Sequence, residues 1–107
     1  MPDVILGEFE QLVLLSLLRQ GQDAYGVSIC QDIADRTGRE VSLGGVYKTL
    51  ERLEDKGLVA SRIGEPTAER GGRRKKYYRL MAAGHRALKQ SLAAIEAMTD
   101  GLEGALR

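Results

Sequence analysis

The sequence predicts a mainly α-helical chain with a small β-hairpin: a winged helix-turn-helix followed by a C-terminal dimerisation helix. Helical apolar spacing recurs in three segments before Gly57. Two short alternating strands then flank a turn rich in glycine and basic residues, and a heptad-like apolar seam runs through the end of the chain.

The stretch from Ser42 to Leu80 is the organising unit. Ser42 is suited to accept a backbone N–H at a helix start, Val46, Leu50 and Leu53 recur at i, i+4 and i+7, and Gly57 stops the helix. Tyr47, Lys48, Thr49, Arg52 and Lys56 occupy the rest of its circumference, a polar and partly basic face able to meet phosphates and base edges. Leu58 to Ile63 and Lys76 to Leu80 read as strands, the second with Tyr78 and Leu80 on one side and Tyr77 and Arg79 on the other. Gly64, Pro66, Gly71 and Gly72 break regular structure between them, and Arg73, Arg74, Lys75 and Lys76 follow.

Charge is unevenly spread. From Arg62 to Arg79 there are seven basic residues against Glu65 and Glu69, a local excess of five positive charges in a chain whose net charge is +1. A basic patch beside an exposed helix is the electrostatic footprint of a protein that binds double-stranded DNA.

The earlier helices complete a three-helix core. Glu8 to Arg19 places Phe9, Leu12, Leu15 and Leu18 on one face, while Val13, Leu14 and Leu17 fill much of the remainder. A helix apolar nearly all round needs cover on two sides, so Leu14 and Leu17 are expected at a contact between subunits. After a turn at Gly21 to Tyr25, a second helix runs from about Tyr25 to Thr37 with Val27, Cys30, Ile33 and Ala34 inward and Gly38 as C-cap. Arg39 to Val41 connects it to the Ser42 helix and is a candidate short strand. From Ala82 onward Leu88, Leu92, Ile95, Thr99, Leu102 and Leu106 follow spacings of four and three, the seam of a helix that pairs with a second copy. Residues 1–81 thus form the winged-helix domain and 82–107 the dimerisation helix, which Gly84, Gly101 and Gly104 weaken.

Composition excludes several classes. With 43% hydrophobic and 29% charged residues the chain reads as one globular domain, and its longest apolar run, Leu12 to Leu18, is too short to cross a bilayer. A cytoplasmic protein without membrane contact is expected. Cys30 is the single cysteine and His85 the single histidine, so no disulfide framework, metal centre or catalytic triad is expected, and neither is a cofactor. Cys30 reads as a small core hydrophobe and His85 as a surface or interface residue.

LGGVYKTLERLEDKGLV and GGRRKKYYRLMAAG closely resemble the PadR family of bacterial transcriptional regulators, as do LGEFEQLVLLSLL and DAYGVSI near the start. The resemblance extends from about Leu6 to Leu88. It implies a repressor that binds a palindromic operator as a homodimer joined through its C-terminal helix, with any small-molecule effector acting at that interface. By position, Ser42, Gly44, Tyr47, Lys48 and Arg52 fall on the recognition helix and Arg73, Arg74 and Lys75 on the wing, extended by Lys76. Lys48 stands where many relatives have proline, Met81 where a threonine usually caps the last helix, and there is no tryptophan of the kind that sandwiches flat ligands in some relatives. Tyr47 either contacts DNA or packs its helix, and Arg52 meets either a guanine edge or a phosphate. The rival to an operator-binding regulator is a non-catalytic dimeric module whose basic hairpin binds an acidic protein or RNA. Few stacking aromatics accompany the patch, which argues against single-stranded RNA.

Overall fold

The computed structural model describes residues 4–65 and 74–107, with elements in the order α1 (Glu8–Gln20), β1 (Ala24–Tyr25), α2 (Gly26–Thr37), α3 (Leu43–Asp55), β2 (Val59–Ile63), β3 (Lys76–Leu80) and α4 (Ala82–Thr99). Pro2, Asp3, Pro66, Gly71, Gly72 and Arg73 lie outside the described residues.

Local chemistry sets the boundaries of α3. Ser42 Oγ accepts the Gly45 N–H at 3.0 Å, and past the helix Gly57 takes the left-handed conformation at φ +74. Val46, Leu50 and Leu53 are buried as their spacing predicts, joined by Thr49. Glu10 ties α1 to α3: its carboxylate accepts the Gly7 N–H at 2.8 Å and the Lys56 ammonium at 3.0 Å. Lys56 is therefore occupied within the fold.

Helix α1 buries the opposite face from the one expected. Leu14 and Leu17 are 0% and 1% exposed and, with Val13, form the core side, while Phe9, Leu12 and Leu15 lie at its margin and Leu18 is exposed. The assignment of Leu14 and Leu17 to a contact between subunits is corrected accordingly, because α2, α3, α4 and the sheet already cover them. In α2 the inward residues are Gly26, Ile29 and Ile33; Val27 points outward, and Cys30 is half-buried with its Sγ 3.1 Å from the Val41 carbonyl oxygen.

The sheet has three antiparallel strands in the order β1-β3-β2. Ala24 and Tyr25 pair with Tyr78 and Tyr77, so the short strand arises before α2 and not at Arg39 to Val41, which is irregular. Ser61 faces Tyr78 and Arg62 faces Tyr77 across β2 and β3. Ser61 Oγ donates to Glu54 Oε2 at 2.6 Å, which turns the Ser61, Tyr78 and Ala24 row toward α3 and leaves Arg62, Tyr77 and Tyr25 on the outer face.

The core continues past residue 81. Gly84, Ala87 and Leu88 of α4 are buried, Leu88 to 2%, so Leu88 is a core residue of its own chain and not a member of an intersubunit seam. Gly84 is required by close packing: a Cβ there would collide with the Leu58 carbonyl oxygen, and Leu80 Cδ1 would lie at 2.8 Å. Gly84→Ala is expected to cost roughly 1–3 kcal/mol although alanine favours helix, a loss to be read from the urea midpoint. The helix also ends earlier than expected. Its last residue is Thr99, and Gly101 at φ +83 turns the chain, so Leu102 and Leu106 lie beyond it in a separate turn.

Three carboxyls make the fold acid-sensitive. Burial acts to raise Glu10, but the Gly7 N–H and Lys56 outweigh it and hold it below its ordinary 4.5. Burial acts likewise on Asp32, and the Ser16 hydroxyl with Arg36 holds it below 3.8. The hydrogen bond from Arg39 lowers Glu8. With folded values depressed, the stability they contribute is complete above the unfolded values and is lost as pH falls through the folded ones. The melting temperature should therefore stay level down to about pH 5 and drop below 4.5, with a shallower drop in Glu10→Gln.

Candidate nucleic-acid interface

The exposed surface beside the hairpin is assembled from the starts of α2 and α3 and the outer end of the sheet. Ser42 and Gly44 lie at the start of α3, both exposed, and Lys48 is exposed one turn on, with no salt bridge among the described residues. Tyr47 does two things at once: its ring covers Gly26, where a Cβ would overlap the ring, yet it stays 43% exposed. The ring therefore joins α3 to α2 and still presents an edge outward. Arg52 lies in the last turn of α3, its Nη2 3.3 Å from Thr49 Oγ1, so it is separated from Ser42 by most of the helix length.

The wing residues divide between two faces. Lys76 Nζ stands 5.6 Å from the Tyr78 ring on the α3 side, and burial pushes the Tyr78 phenol above 10.0, so it is neutral at physiological pH. Lys75 Nζ sits 4.4 Å over the Tyr25 ring on the outer face. Arg74 is exposed, and Arg73 lies outside the described residues. Neither lysine has a carboxylate partner among the described residues, and an aromatic ring positions each instead.

The sequence reading missed the row beneath Lys75. Tyr25 and Tyr77 meet edge to face at 5.9 Å, and the Arg62 guanidinium lies 4.6 Å over Tyr77 while Arg62 Nη2 donates to the Gln22 carbonyl oxygen at 3.1 Å. Arg62 is thus a brace between β2 and the turn before β1, and Tyr25 and Tyr77 align the base of the wing with α2. The alternation within KYYRL carried half of this signal; the pairing with Tyr25 depends on β1.

A polar chain fixes α2 against α1. Ser16 Oγ donates to Asp32 Oδ2 at 2.7 Å, Gln20 Nε2 donates to Ser16 Oγ at 2.9 Å, and Ser28 Oγ donates to Gln20 Oε1 at 2.7 Å while accepting the Tyr25 N–H. Every side chain in that chain is used structurally. No group of residues able to hold a metal ion occurs among the described residues, and no helix among them is long and apolar enough to cross a membrane.

Residues 14–90 match the family model described as the transcriptional regulator PadR-like family. Similar solved structures include a PadR family transcriptional regulator from Eggerthella lenta DSM 2243, at 30% identity over 94% of this chain and 87% of that one, with a TM-score of 0.69. A transcriptional regulator from Clostridium thermocellum is 28% identical over 91% and 92% of the two chains, with a TM-score of 0.69. A PadR-like transcriptional regulator from Bacillus cereus strain ATCC 14579 shares the fold at a TM-score of 0.73, with 19% identity over 92% and 91%. No curated protein matches the sequence. The family and these relatives are transcriptional regulators, not enzymes.

Proposed function

Because the chain belongs to the PadR-like family of transcriptional regulators, we propose that it is a cytoplasmic repressor that binds a palindromic operator as a homodimer. The observation that carries this reading is the placing of the exposed first turns of α3 beside a wing whose lysines are held on tyrosine rings with their charge free. In this reading α3 enters the major groove with Ser42, Gly44, Tyr47 and Lys48 near the bases and backbone. Arg73, Arg74, Lys75 and Lys76 contact the adjacent phosphates or minor groove, and Arg52 a flanking phosphate. Lysine acts there as a point charge, which positions the protein without reading sequence.

Dimerisation supplies the second half-site. Leu92 and Ile95 are exposed on α4, Leu102 and Leu106 are exposed beyond it, and Val4, Ile5 and Ile95 line an open groove of about 290 Å³ beside them. A second copy that covers these side chains sets the two α3 helices about one DNA turn, ~34 Å, apart. Residues 89–107 are then the assembly segment, and an effector binding there would alter that spacing.

Sedimentation of the protein with a duplex carrying its preferred palindrome tests the assembly. Two chains per duplex are expected, and a single chain bound at saturation would count against the dimer.

A further inference from the structure

We propose that the protein selects its site chiefly through apolar contact with thymine methyl groups, made by Leu43 and Val27 beside Tyr47; this rests on the duplex-DNA reading above. Val27 is 47% exposed, Leu43 40% and Tyr47 43%. Leu43 and Tyr47 stand one turn apart on α3, and the Tyr47 ring lies on Gly26, the residue before Val27 at the start of α2. These three exposed side chains therefore lie at the starts of α2 and α3, which the Tyr47 ring joins.

Their surroundings say what covers them. Lys48 follows Tyr47 on α3 and is exposed, so the apolar side chains have a cation beside them on the same helix. That pattern complements a groove floor lying between rows of phosphates. Gly44 and Gly45 leave the first turn of α3 bare, and a Cβ at Gly44 would meet nothing within 4 Å, so crowding inside the chain does not explain the glycine. It leaves room for the duplex to come close.

The chemistry of this surface narrows what it reads. Guanine is read bidentately by Arg or Lys and adenine by Asn or Gln, yet Leu43 to Lys48 contains no Arg, Asn or Gln and offers one lysine. The thymine C5 methyl is the apolar group the major groove displays, and it is what Leu43 and Val27 are equipped to meet.

The duplex that the protein enriches from a random-sequence pool is synthesised with thymidine and again with deoxyuridine, which removes the methyl and keeps the hydrogen-bonding edge. About fourfold weaker binding is expected for each contacted thymine replaced, and roughly tenfold or more over two half-sites. In the Val27→Ala, Leu43→Ala double variant the ratio should fall toward one, whatever the loss of affinity for both duplexes. Equal affinity of the natural protein for both duplexes, with preference over an unrelated duplex retained, overturns the proposal and leaves the DNA reading standing. A ratio undiminished in the double variant assigns the effect to duplex shape and also overturns it. Enrichment of no duplex overturns both.

Discussion

Replacing Arg74, Lys75 and Lys76 together with alanine is expected to weaken operator binding on the order of a thousandfold at about 100 mM salt. Each phosphate neutralised contributes about 0.9 to the steepness of log affinity against log salt, so losing about two such contacts from each chain, about four phosphates per dimer, makes that slope shallower by roughly three to four. Preference among duplex sequences should survive if, as proposed, these cations position the protein while α3 reads the bases. The variant should fold, since Arg74 and Lys76 are exposed and Lys75 gives up only its place over the Tyr25 ring. Arg62→Ala provides the contrast. Its guanidinium is already held by Tyr77 and the Gln22 carbonyl, so its removal should lower the melting temperature more than the salt slope. A slope unchanged in the triple variant would remove the wing from the interface.

Leu14→Ala is expected to cost about 2–5 kcal/mol of folding stability, and Leu92→Ala almost none in the monomer. Leu14 is enclosed by its own chain, so shortening it leaves a cavity in the one continuous core that also holds Leu17, Leu50 and Leu53. Leu92 is exposed on α4, and its truncation should act on association. Urea unfolding at several protein concentrations separates the two. Leu14→Ala shifts the midpoint at every concentration, whereas Leu92→Ala, if the proposed dimer forms, shifts it most at high protein concentration.

Most of the architecture could be read where local chemistry and periodicity agree. Ser42 and Gly57 bracket α3, the alternation of KYYRL sets the faces of β3, and Gly38 ends α2 at φ +72. The reading failed where tertiary contact decides. Helix α1 is apolar nearly all round, so its periodicity admits two stripes, and the packing of α2, α3 and α4 chose the one through Leu14 and Leu17. Strand β1 is two residues long, too short to show alternation, and exists through its pairing with Tyr77 and Tyr78. Gly84 reads as a weak point in a helix until the Leu58 carbonyl is found against it. The heptad spacing runs on through Leu102 and Leu106, yet the turn at Gly101 ends the helical register that gives such spacing its meaning.

Of the candidate site, the basic run and helix α3 were legible in the sequence, and the braces were not. Lys75 and Lys76 stand out as a basic run, but their separation onto Tyr25 and Tyr78 follows from the sheet register. The double role of Tyr47 follows from Gly26, a residue far earlier in the sequence that only the fold brings beneath it.

The most direct test of sequence-specific operator binding is a fluorescence-anisotropy titration of a labelled duplex from the region upstream of the protein's own gene, against an unrelated duplex, at about 50 and 200 mM salt. About six phosphate contacts per dimer give roughly a thousandfold loss of affinity across that range, with the upstream duplex preferred at both. Absence of binding to either duplex at the lower salt would contradict the account.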